Sequence, residues 1–463
     1  MMSSSTKSSM FATSSITHFL ATILIILSLC STYQFVVLVA TPIPNREALE
    51  IVIGGGSPAP EYSPGCGTCT SPPPPETPCP PPPSPPSSPS PGPENEIQIA
   101  TRVIKQFFQR IDSDSCGLKM LKNIKNPKFC DNSKFNCAFL NAKNQNALYG
   151  VQFNGCMIKG KNLTLEDFIN KLPEVSVFHA NSNNFNGKIP NLSHLPYLFE
   201  LDLSNNKYEG KFPLNVLTAT QLTYLDLRFN SFVGPIPPQL FDLQVLALFI
   251  NNNNFEQDLP SNLGSTPAAF LTFASNKFTG PIPKSIKQAS NTLLEVLFLN
   301  NHLSGCLPYE IGYLKKARVF DVSTNYLTGP IPRSFGCLEK MQNLVMANNE
   351  FFGAVPEEVC MLPHLKQLSL CNNYFTQVGP ECMKLVHKGV LDVTNNCILG
   401  LPNQKSKEMC ASFFKRPKTC GEEKSLTIVP CKNTAGYLNG EVLLEGAPQS
   451  HPTVTYGALT PNN

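Results

Sequence analysis

The chain has 463 residues, 41% of them hydrophobic, with 36 basic against 33 acidic side chains and a formal net charge of +3. A chain this long and apolar can bury a large core, and so even a charge balance leaves no electrostatic footprint for nucleic acid. Seventeen cysteines and no tryptophan point to an oxidising compartment rather than the cytosol.

The amino terminus carries the apolar run Phe19 to Ala40. It reads as a secretory signal over residues 1–40, either cleaved or kept as an anchor. Removal near Ala40 takes Cys30 with it and leaves an even number of cysteines, compatible with full pairing. No later run is long enough to span a membrane, which argues against a carboxy-terminal anchor.

Residues 41–93 read as an extended proline-rich linker, with SPPPP at Ser71 to Pro75 and four more prolines at Pro80 to Pro83. Each proline fixes φ and removes a backbone donor, so the segment favours polyproline II and cannot build a core. A serine followed by four prolines resembles the extensin glycosylation unit of plant cell walls, in which the prolines are hydroxylated and arabinosylated. Cys66 and Cys69 form a C-x-x-C pair near Cys79. Without a βαβ context or a matched second pair, a local or intermolecular disulfide is expected there rather than redox chemistry or half a metal site.

Residues 94–147 form an expected amino-terminal cap. Ala100, Val103, Ile104, Phe107, Phe108 and Ile111 recur at helical spacing over Ile97 to Ile111, which predicts a helix covering the open end of the first repeat.

From 148 to 402 one pattern dominates. Asn183, Asn206, Asn230, Asn253, Asn276, Asn301, Asn325, Asn349, Asn373 and Asn396 recur in the same apolar frame, LxxLxLxxNxLxGxIP. In each turn an LxL pair such as Leu201 and Leu203 alternates with polar neighbours, as a short half-buried strand does. One such turn cannot bury its own core, so the turns stack, and each asparagine can direct its amide to the backbone of adjacent turns. The result is a leucine-rich repeat solenoid of about ten or eleven turns. Its curved parallel β-sheet lines the concave face, its convex side is 3-10 or irregular, and disulfides stabilise its caps. At roughly 4.8 Å per strand the body is on the order of 50 Å long.

The Gly-x-Ile-Pro segment, as at Gly234 to Pro237 and Gly329 to Pro332, resembles the extension of plant-type extracellular repeats. The first, divergent turn reads LYGVQFNGC, with Cys156 in the asparagine position. Beyond Pro402 the periodicity stops. Residues 403–436 read as a cysteine-rich cap in which Cys410, Cys420 and Cys431 pair with some of Cys360, Cys371, Cys382 and Cys397, the connectivity being left open. Residues 437–463 read as a mobile tail.

Enzyme signatures are missing. The seven histidines are scattered without metal spacing, and there is no nucleophile elbow, so neither catalysis nor a metal or cofactor is expected. The aspartates of the LDL-type strands, Asp202, Asp226, Asp321 and Asp392, read as solvent-facing strand positions rather than a general acid and base. Residues flanking the LxL pairs point out of the concave sheet and define the candidate binding surface: Phe199, Glu200, Asp202, Tyr224, Asp226, Arg228, Phe229, Phe249, Phe270, Glu295, Leu297, Leu299, Arg318 and Asp321. Large apolar side chains rimmed by charge are what a protein interface contains. Asn162-Leu-Thr and Asn191-Leu-Ser are candidate N-glycosylation sites.

SGCLPYEIGYLKKARVFDVSTNYLTGPIP at Ser304 to Pro332, together with CASFFKRPKTC at Cys410 to Cys420, resembles the plant leucine-rich repeat extensins over roughly Ile97 to Cys431. The resemblance implies a Cys130 to Cys137 disulfide in the amino-terminal cap and secretion to the cell wall. It also implies a repeat domain that binds basic, cysteine-rich rapid alkalinisation factor peptides or wall components and can dimerise. The long run of SPPPP units that comes after the repeats in that family is absent from this sequence, so any wall attachment is expected at the amino-terminal side. The family's usual cap tryptophan is also absent. Two other functions compete: a polygalacturonase inhibitor, which would lack the proline-rich block and the Cys410 to Cys431 pattern, and a receptor-like protein, which would need the first apolar run as its anchor.

Overall fold

The computed structural model describes residues 94–123, 128–140, 145–416, 420–421, 423–431 and 459. The expected signal with Cys30, the proline-rich segment with Cys66, Cys69 and Cys79, and the tail apart from Leu459 lie outside those residues.

The first helix starts where the sequence supplies partners for its unpaired amides. Asn95 caps Glu96–Phe108: its side chain accepts from the Gln98 backbone N–H while Gln98 Oε1 accepts from the Asn95 backbone N–H, both at 2.9 Å. This reciprocal capping box satisfies two orphan donors at once. Ala100, Val103, Ile104, Phe107 and Phe108 form the buried stripe, and the Phe107 ring stacks 4.0 Å from Phe168 in the first repeat. The helix therefore shields an otherwise open end of the core. Ile111 lies beyond it, in the short strand Ile111–Ser113, paired antiparallel with Lys159–Gly160.

Phe135–Leu140 and Gln145–Gln152 pair antiparallel and open the main sheet. Each later repeat adds one parallel strand, among them Val177–His179, Glu200–Asp202, Tyr224–Asp226, Ala247–Phe249, Phe270–Thr272, Glu295–Leu297 and Val319–Asp321, giving twelve strands among the described residues. The chain then turns through a glycine with positive φ, +74° at Gly234 and +87° at Gly329, a conformation that costs a residue without Cβ little. Proline comes next, and a 3-10 helix begins, Pro238–Asp242 after Pro237 and Arg333–Cys337 after Pro332. Proline suits that position because its fixed φ and missing N–H cost nothing before a helical turn.

The segments around those glycines also build structure that periodicity did not predict. Glu209–Lys211, Ser231–Gly234, Asn254–Asp258 and Lys277–Thr279 form a second parallel sheet along the solenoid. Ser304–Cys306, Tyr326–Gly329, Glu350–Ala354 and Tyr374–Gln377 form a third.

The asparagines lock one repeat to the next. Asn276 Oδ1 accepts from the backbone N–H of Phe255 in the preceding repeat at 3.0 Å, and its Nδ2 donates to the carbonyls of Ile250, Phe273 and Ala274. All ten asparagines accept in this way. The residue ahead of each holds a positive φ, as at Asn205, Asn252 and Asn300, which turns the amide inward. Two residues after the asparagine a large side chain enters the core, and there Tyr208, Phe232, Phe255 and Phe278 stack in file with centroids 5.9 to 6.4 Å apart. Backbone hydrogen bonding and aromatic stacking thus share one register.

Disulfides close both ends. Cys130 bonds Cys137, and Cys156 bonds Cys116 in the cap instead of standing as a buried thiol in the asparagine position. At the other end Cys360 bonds Cys382 and Cys397 bonds Cys410. Cys420 and Cys431 depart from the expected pairing set: they bond Cys306 and Cys337. The final segment therefore folds back as a strap along the repeats rather than closing only the last turn.

Candidate binding face

Strand register sorts the outward side chains into rows. Glu200, Tyr224, Ala247, Phe270, Glu295 and Val319 pair in one row, and Asp202, Asp226, Phe249, Thr272, Leu297 and Asp321 in the next. The residue between them in each strand, such as Leu201, Leu225 or Phe320, is buried in the core. Both rows therefore face the concave side.

The end of these rows towards the amino terminus combines aromatic rings with ion pairs. His179 Nε2 lies 2.8 Å from Glu200 Oε2. Tyr224 Oη donates to Asp226 Oδ2 at 3.3 Å, and Arg228 Nε lies 2.9 Å from the same oxygen. The Arg228 guanidinium sits 5.4 Å over the Phe249 ring. Phe249 meets Tyr224 edge-on at 5.7 Å, and Phe270 packs on the same cluster. Burial, and then the neighbouring Asp202 carboxylate, hold the Asp226 carboxyl well above its ordinary range while Arg228 opposes them. Burial followed by the Asp226 and Asp202 charges raises the Tyr224 phenol. A desolvated aromatic and guanidinium cluster of this kind is the usual anchor of a protein interface.

The aspartates correct the sequence reading. Asp202, Asp226 and Asp321 are buried rather than solvent-facing. Each accepts from the backbone N–H two residues on, at Ser204, Arg228 and Ser323, and half-buried Asp392 does the same at Thr394. They are turn-fixing acceptors at the strand exit. The expected exposed apolar surface is also more enclosed than predicted, since Phe249 is 8% and Leu297 0% exposed.

Not all candidate residues share the rows. Phe199 and Arg318 precede their strands, and Phe229 occupies the left-handed turn position ahead of Asn230. Leu299 lies two residues past Leu297 and packs with it, Ala274 and Val319. Glu295 sits at the edge of this apolar zone, 6% exposed, and burial pushes its carboxyl up to about 7. Asn162 and Asn191, the sequon residues, are both exposed. Asn191 Oδ1 accepts from the Ser193 backbone N–H.

A second concavity escaped the sequence reading. An open cleft of about 690 Å³ lies between the third sheet and the strap, lined by Pro330, Ile331, Phe352, Met361 and Leu426, with the Arg333–Glu358 ion pair in its wall. Its only sequence signal is Cys306, which stands after Gly305 where proline stands after Gly329 in the next repeat. Among the described residues no group of His, Cys, Asp or Glu is arranged to hold a metal ion, and no helix is long and apolar enough to cross a membrane.

The fold and the asparagine ladder define a leucine-rich repeat protein of the plant type, and a family model described as Leucine Rich Repeat matches residues 221–243. The curated relatives this chain resembles include plant leucine-rich repeat extensin-like proteins. The chain is 56% identical over 180 residues to leucine-rich repeat extensin-like protein 6 of Arabidopsis thaliana, a match covering 39% of this chain and 38% of the relative. It is 40% identical over 153 residues to leucine-rich repeat extensin-like protein 2 of the same plant, covering 33% and 20%. The chain thus spans well under half the length of these relatives. Two solved structures share the fold at a TM-score of 0.50. One is a plant ice-binding protein, 22% identical, with 66% of this chain and 98% of that one covered. The other is the ectodomain of the Arabidopsis receptor kinase HAESA in complex with an extended IDA peptide hormone, 19% identical, covering 65% and 54%.

Proposed function

We propose that this is a secreted, cell-wall-associated, non-enzymatic binding protein whose concave face takes a basic, cysteine-rich signalling peptide of the rapid alkalinisation factor type or a wall component, and so influences wall organisation and growth. One observation carries the reading: Tyr224, Phe249 and Phe270 converge on the concave face beside the Arg228–Asp226 pair and the His179–Glu200 contact. Partly buried Tyr224 and Phe270 beside Glu200 offer a basic peptide both an apolar anchor and a charge partner. The extensin-like relatives support the wall, and six disulfides between described residues support an oxidising compartment. Exposed Asn162 and Asn191 are the proposed N-glycosylation sites.

The test is calorimetric titration of the secreted protein with a rapid alkalinisation factor peptide. Tyr224→Ala combined with Phe270→Ala should weaken binding by about tenfold or more, the range of an interface anchor, and leave the melting temperature nearly unchanged because both rings are only partly buried. Unchanged affinity in a folded double variant would overturn the assignment to this face. Strong inhibition of a polygalacturonase with no peptide or wall affinity would replace the function.

A further inference from the structure

Beside the aromatic cluster, Ala274, Leu297, Leu299 and Val319 form an apolar patch on the concave side of the sheet. The outward side chains of a single-layer sheet meet solvent unless something lies on them. Here Ala274 and Leu297 are 0% exposed and Val319 is 4% exposed. The residue seated on the patch is Leu459, which packs against that cluster from far along the sequence. Leu459 lies 28 positions past Cys431, a length that can reach about 90 Å when extended, so the strap does not restrict the approach.

We propose that Leu459 is a resident plug of the concave face, an intramolecular occupant that fills an aliphatic subsite and must be displaced before an external extended partner can use the whole groove. The patch lies directly after Phe270 and Thr272 in strand order. A partner running from Tyr224 across Phe270 therefore meets Leu297 and Leu459 next. A tethered side chain competes at an effective concentration of about millimolar, which raises the threshold for any weak ligand while leaving tight ones able to win. Glu295 begins the same strand and Leu299 lies two residues past its end, so the subsite is aliphatic and disfavours a charge. The competition rests on the concave face being the partner surface. The seating of Leu459 does not.

Two measurements on the full chain separate these. With p-benzoylphenylalanine in place of Leu459, irradiation and mass spectrometry should find cross-links within one molecule, concentrated on the strands carrying Leu297, Leu299 and Val319. Cross-links to other surfaces, to a second copy of the chain, or none at all would overturn the proposal. Leu459→Asp should raise binding of an apolar fluorescent dye several-fold and strengthen binding of the peptide used above by about three- to tenfold, as removal of a weak tethered competitor does. Unchanged dye uptake would overturn it as well. If Tyr224→Ala and Phe270→Ala leave peptide affinity intact while the cross-links fall as expected, the partner surface is wrong and the seating of Leu459 stands.

Discussion

Asn276 shows how much one side chain does in this protein. It is buried and joins four backbone groups in two repeats, so Asn276→Ala strands a buried amide and several carbonyls together. The variant should lose about 2–4 kcal/mol, read as a lower urea midpoint. The residue before each ladder asparagine offers the opposite opportunity. That turn position has a left-handed backbone and is asparagine at 205, 252, 300, 348, 372 and 395, but at 229 it is phenylalanine, with φ +53°. A bulky side chain there is strained, because its Cβ crowds the carbonyl after it, whereas asparagine tolerates the conformation. Phe229→Asn should therefore stabilise the protein by about 1 kcal/mol, measured by the same denaturation, and leave peptide affinity unchanged because Phe229 lies outside the two strand rows.

At the scale of elements, the strands, the ladder and the capping helix were legible in the sequence, because each is set by side chains within one repeat: Leu201 and Leu203 by alternation, Asn206 by recurrence, Val103 and Phe107 by helical spacing. The lateral sheets were not, because Gly234 and Lys211 carry no alternation and take their partners, Phe255 and Val233, from neighbouring repeats. The aspartates misled for a related reason. Asp202 looks like a surface residue until its carboxylate is seen accepting from Ser204 two residues on. Cys420 and Cys431 could not be assigned, since their partners Cys306 and Cys337 lie 114 and 94 residues away and spacing says nothing over such distances. Replacing Cys337 and Cys431 together by serine should cost about 2–5 kcal/mol. Amide exchange should rise mainly around Glu423–Thr427 while the strands from Val177–His179 to Phe270–Thr272 keep their protection. Loss of protection throughout those strands would show that the strap holds the entire body.

The whole molecule reports on its concave face through pH. Among the described residues no hydrogen bond or ion pair reaches the Glu295 carboxyl, which stands at about 7 against an ordinary 4.5. The folded protein keeps that proton where the unfolded chain has released it, so this contribution is fully present below about pH 4.5 and is lost as pH rises through about 7. The melting-temperature difference between wild type and Glu295→Gln should shift against wild type over that interval, by an amount equivalent to about 1–3 kcal/mol; a pH-independent difference would show the carboxylate is already ionised at low pH. The strap adds a property of another kind. Because Cys431 is bonded to Cys337 and Cys420 to Cys306, tension applied beyond Cys431 divides between those two bridges, rejoins at Cys306 and runs towards the amino terminus from there. The repeats after Cys337 hang outside that line of force, so pulling on the carboxy-terminal side leaves them folded while the earlier repeats carry the strain.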